Sequence, residues 1–96
     1  MKRVRENKPL IQSYLFTEKF GNFFVSTAYR KSSMTDYEVW YFETFAWKLD
    51  KDKHRTDWVV EYAGFDDEGY ALKDHMEVIK QLNLTGKFNE EDCYVN

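Results

Sequence analysis

The sequence predicts an α+β fold, a four-stranded antiparallel meander followed by one C-terminal helix packed on one face. Two observations carry that prediction. Residues 10–65 hold alternating, aromatic-rich runs broken by turn residues, and from Asp66 the apolar spacing lengthens from two residues to a helical period. A third observation bounds the size: 96 residues make one domain, and a domain this small buries only about 60 to 65% of the surface its unfolded chain exposes. One cysteine rules out an internal disulfide framework or a Cys-based zinc site as reinforcement. The three Trp, seven Tyr and eight Phe are the substitute, because each ring can bury roughly 150 to 250 Å².

In chain order, residues 1–9 form a basic N-terminal arm, 10–65 the sheet, 66–83 the helix and 84–96 a C-terminal tail. Gly21-Asn22, between the apolar runs Ile11–Phe20 and Phe23–Lys31, suits a two-residue type II′ hairpin turn, since glycine supplies the positive φ at its first central position. The polar stretch Lys31–Asp36 reads as the next turn. Val39–Leu49 is the third and central strand, rich in aromatics and free of Gly and Pro, and it runs into the charged loop Asp50–Asp57. Trp58–Ala63, bounded by Gly64, is the fourth. In the helix, Ala71, Leu72, His75, Met76, Val78, Ile79 and Leu82 recur at helical spacing, with Asp66 or Asp67 as N-cap and Gly86 beyond the far end.

Alternation divides the third strand into two faces. Trp40, Phe42, Thr44 and Ala46 share one; Tyr41, Glu43, Phe45, Trp47 and Leu49 share the other. Both are largely apolar, and one helix covers only one. The other face then needs the chain's own arm and tail, a second copy, or a partner.

The charge balance narrows the function. A net charge of −3 with mixed signs excludes a strongly basic nucleic-acid binder and a heavily acidic nucleic-acid mimic. No apolar run reaches the roughly 18 residues of a membrane span, and the basic start leads into Pro9 without a signal-peptide core, so a cytoplasmic protein without membrane contact is expected. Metal-ligand spacings, phosphate loops and nucleophile motifs are lacking, so no cofactor, metal or catalytic residue is expected. His75 reads as a core histidine, and His54 as part of a solvated loop. Glu43, mid-strand among rings, needs a partner if covered, and Arg30, Lys48 or a backbone donor could serve.

One pattern resembles a loose class of small phage-encoded proteins of unknown role. The matching residues are Phe42-Glu43-Thr44-Phe45-Ala46-Trp47, Glu61-Tyr62-Ala63, Asp66-Asp67-Glu68 and Ala71-Leu72-Lys73-Asp74-His75, with Val25–Tyr29 similar to that class's first strand. The resemblance covers about residues 23 to 82. The chain departs from it in Asp74, where a glycine often precedes the histidine, and in its longer N-terminal hairpin. The resemblance implies a phage or prophage origin and a host-cytoplasm setting, and it implies no activity.

Three functional expectations follow. The first is a non-enzymatic phage accessory protein that binds a host or phage protein through an exposed sheet face bearing Tyr41, Glu43, Phe45 and Trp47, as a homodimer. The second is single-stranded nucleic-acid binding by sheet aromatics with Lys2, Arg3, Arg5, Lys51, Lys53 and Arg55, disfavoured by the weak basic setting. The third is a small-ligand binder or enzyme that uses Glu43 and His75, which requires the two to converge on one cavity.

Overall fold

A computed structural model of the chain describes residues 7–34, 37–64 and 67–89. It contains strands β1 (Asn7–Thr17), β2 (Gly21–Met34), β3 (Tyr37–Leu49) and β4 (Arg55–Ala63), then helix α1 (Glu68–Thr85). The sheet is antiparallel in the order β1-β2-β3-β4. This is the predicted α+β meander, with β2 and β3 both interior. The predicted arm is shorter than expected, because Asn7, Lys8 and Pro9 already pair with β2. Residues 1–6, Asp66 and 90–96, which include Lys2, Arg3, Arg5 and Cys93, lie outside the described residues.

The first hairpin differs from its prediction. Its loop is Glu18-Lys19-Phe20, and Thr17 pairs with Gly21. The Thr17 hydroxyl accepts from the Phe20 N–H at 2.9 Å and donates to the Gly21 carbonyl at 2.8 Å, closing a three-residue turn that the glycine-asparagine pattern did not reveal. Gly21 does take a positive φ of 89°, but at the start of β2, as in hairpins whose turn ends in a left-handed residue. The register therefore sets Leu15, and not Phe20, opposite Phe23. The predicted turn over Lys31–Asp36 is also narrower, since β2 continues to Met34.

Helix α1 starts at Asp67, whose carboxylate accepts from the Tyr70 N–H at 2.9 Å. It ends at Gly86, which has φ 74° and donates its N–H to Leu82. A side chain at Gly86 would meet the Phe20 ring at 2.6 Å. Glycine thus lets the helix end close against the β1–β2 turn. The buried helix face is Ala71, Asp74, His75, Val78 and Leu82. Leu72 and Met76, expected on it, are 37% and 56% exposed, because they lie about 100° and 140° around the helix from Ala71, at the edge of a stripe centred on Ala71 and Leu82.

The core lies between α1 and the face of Phe23, Val25, Ala46, Val60 and Tyr62, with Val78 and Leu82 from the helix and Leu15, Phe20, Ile79 and Phe88 around it. Phe88, from the predicted tail, meets Tyr62 edge to face with ring centres 5.7 Å apart. The helix therefore covers the Phe42, Thr44 and Ala46 side of β3.

A polar ladder runs through this interface. His75 has no exposed surface. Its Nε2 is 3.0 Å from the Ser13 hydroxyl, its Nδ1 2.8 Å from the Thr27 hydroxyl, and Thr27 is 2.7 Å from Thr44. A neutral imidazole, one donor and one acceptor, suits two hydroxyls that can each do either. Burial pushes the His75 pKa down to about 4.

The unfolded chain takes up this proton at pH 6.5 and the folded one near 4, so stability is fully present above pH 6.5 and is lost as pH falls through that window. The loss expected is up to about 3 kcal/mol. Urea denaturation across the window should show a steeper decline for the wild type than for His75→Gln, and equal slopes would contradict the assignment.

Candidate functional site

The face away from the helix is built by strand alternation and one bulge. Gln12, Tyr14 and Phe16 point there from β1, Phe24, Ser26, Ala28 and Arg30 from β2, and Tyr41, Glu43, Phe45 and Trp47 from β3. On β4 the register passes from Ala46–Val60 to Trp47–Trp58 with Val59 extra, and this bulge turns Trp58 to the same face as Trp47. The rings then form a continuous chain across all four strands. Centre-to-centre distances are 5.0 Å for Tyr14–Phe24, 6.0 Å for Phe24–Trp47, 5.6 Å for Trp47–Phe45 and 5.6 Å for Phe45–Trp58.

Cations lie on these rings. The Arg55 guanidinium is 4.5 Å from the Trp47 ring centre and 4.7 Å from that of Phe24. Arg30 is 5.1 Å from Phe45, and Lys53 is 5.7 Å from Phe16. Arg30 also pairs with Glu43 at 2.8 Å. Between the two arginines the face dips into a concavity of about 140 Å³, lined by Gln12, Ser26, Phe45 and Trp47 among others.

Of the four residues predicted for this face, Tyr41, Phe45 and Trp47 lie on it partly covered, while Glu43 is only 8% exposed. Glu43 is therefore a paired structural carboxylate. Among the described residues the rings most open to water are Tyr14, Phe16 and Trp58, at 59%, 58% and 57%. Sequence reasoning missed them. The alternation of β1 carries Tyr14 and Phe16, but the expected turn gave the wrong register; the bulge that turns Trp58 leaves no mark in the residue pattern.

Lys53, from the β3–β4 loop, and Arg55, the first residue of β4, both predicted for nucleic acid, join this face. That loop closes on Asp50, whose carboxylate accepts the N–H groups of Asp52 and His54 at 2.9 Å each. The His54 N–H, foremost, holds the Asp50 carboxyl below its ordinary pKa. Lys51 is exposed on the same loop. Asp50, Asp52 and His54 bring three potential ligand atoms within 4.8 Å of one another, a grouping the sequence reading did not single out, and the hydrogen bonds account for it as a loop closure.

Glu43 and His75 do not converge. Glu43 is on the open face and His75 beneath the helix, on opposite sides of the sheet. The shared cavity that a ligand site or enzyme built on this pair would need is thus absent. The Ser13–His75 spacing is that of a nucleophile and its base, but a histidine without exposed surface holds the helix in register and does not reach substrate.

Comparison with protein families, with curated proteins and with solved structures finds no match for this chain. Among the described residues no helix is long and apolar enough to cross a membrane.

The Glu43 assignment is testable. Glu43→Gln leaves the nearly covered Arg30 charge without its counter-charge and should cost about 1 to 3 kcal/mol in chemical denaturation. Arg30→Met combined with Glu43→Leu should cost less than the two single changes added together. Strict additivity would mean that the pair is not coupled.

Proposed function

We propose that the protein acts by binding and not by catalysis, with the open sheet face as its contact surface. The observation that supports this is the ring chain from Tyr14 to Trp58, which spans the sheet on the side the helix leaves open. Rings more than half exposed at three positions on one face are a surface suited to a cover. At about 25 cal/mol per Å², burying the remainder of each ring contributes on the order of 2 kcal/mol to association. The partner is a protein, foremost a second copy of this chain; in the setting that the resemblance to small phage-encoded proteins implies, it is a host or phage protein in the host cytoplasm.

One observation favours a second reading, single-stranded nucleic acid. The cations Lys53 and Arg55 sit against rings of this face, so flat groups and positive charge share one surface, as stacking platforms require. The net charge of −3 opposes it, and this reading ranks second.

Light scattering over a concentration series should find a dimer for the wild type and a monomer for the Phe16→Ser, Trp58→Ser double variant. A wild type that stays monomeric at every concentration would remove the self-association reading. Tryptophan fluorescence with an oligothymidylate decides the second: quenching that weakens with salt, by a slope of about −0.7 per phosphate engaged, supports it, and no quenching at low salt rejects it.

A further inference from the structure

We infer that the concavity between Arg30 and Arg55 is a binding site for a carboxylate presented by the protein partner of this face, of which a second copy of this chain, with its 17 Asp and Glu, would bring many. The inference rests on the reading of the open face as a contact surface and adds the chemistry that the contact selects.

Arg55 carries the argument. Its guanidinium lies over Trp47 and Phe24, and among the described residues no carboxylate pairs with it. Stacking occupies the flat face of a guanidinium. Its N–H donors lie in the plane, at the edge, where they match the two oxygens of a carboxylate or phosphate. The rings thus hold the group in place while leaving its directional donors for a ligand.

The other lining residues set the charge and size of that ligand. Arg30 is already paired with Glu43 at 2.8 Å. The charged residues that line the concavity are Arg30 and Arg55, and with Arg30 paired it is Arg55 that offers its charge to one carboxylate. Gln12 and Ser26 add neutral donors. The Gln12 amide reaches the Ser26 hydroxyl at only 3.4 Å, a long bond that an incoming oxygen can better. The space of about 140 Å³ is well below the roughly 300 to 1,000 Å³ of sites for whole cofactors. It fits one functional group of a larger molecule.

The test is a titration of the ¹⁵N-labelled full chain with acetate and, separately, dimethyl phosphate, at constant ionic strength kept with chloride. The side-chain signals of Arg55 and the indole N–H of Trp47 should move and saturate in the millimolar range. Arg55→Met should weaken this at least about tenfold, and Arg55→Lys, which keeps a cation over the rings but loses the planar fork, several-fold. Saturation with acetate, at least as tight as with dimethyl phosphate, supports the carboxylate site, and saturation with dimethyl phosphate alone overturns it in favour of a nucleic-acid backbone. Shifts that never saturate in the wild type overturn the inference whatever the variants do, as does saturation unchanged in Arg55→Met or Arg55→Lys. The readout needs neither a dimer nor an oligonucleotide. A failed titration beside an intact dimer would refute the anion site and leave the contact face standing.

Discussion

The hydrogen-bonded ladder Ser13–His75–Thr27–Thr44 is the constraint on which the rest of the molecule depends. An apolar helix stripe on an apolar sheet face can slide or rotate with little change in buried area. A fully covered imidazole cannot, because leaving either ring nitrogen without a partner costs about 1 to 3 kcal/mol. The ladder ties α1 to β1, β2 and β3 at once. It thereby determines which side of the sheet is closed, and the rings on the other side form the open face by consequence.

The open side is stabilised by a different kind of cover. Where a second layer of helix would lie, there are guanidinium and ammonium groups over ring faces: Arg55 on Trp47 and Phe24, Arg30 on Phe45, Lys53 on Phe16. Each such contact contributes about 0.5 to 1 kcal/mol where solvated, enough to hold a side chain in place but small beside a hydrophobic layer. Phe24, on this face, is nonetheless only 5% exposed, with Arg55, Tyr14 and Trp47 against it. The charge pattern and the aromatic pattern are one arrangement, and neither reads correctly without the other.

Much of the fold was legible in the sequence because it rests on local chemistry. The alternation of β3 assigned its two faces, Gly86 marked the helix end, and the aspartate cluster placed the N-cap, which is Asp67. What was not legible depends on partners remote in sequence. The Thr17 side chain makes the first turn three residues long, a choice Gly21-Asn22 does not announce, and the resulting register is what exposes Tyr14 and Phe16. The Val59 bulge depends on how β4 meets β3, so Trp58 could be read as a strand residue but not assigned to a face. His75 was recognisable as a core histidine, yet its partners Ser13 and Thr27 lie 62 and 48 residues away, beyond any local pattern. Asp74, buried beside it, was not among the residues of the predicted apolar stripe, since aspartate is usually exposed.

The two faces also differ in what they permit. The closed face joins dry packing to a satisfied polar ladder, and a change there alters the position of the helix as a whole. The open face is held by contacts that are individually weak and oriented, so a partner can replace a water shell, engage the edge donors of Arg55 and cover Trp58 while the strands keep their register. Binding on that side requires no opening of the core. Glu43 fits the same logic: it pairs with Arg30 beside the concavity and so offsets one of the two guanidinium charges there, while the rings hold the other, Arg55, in place.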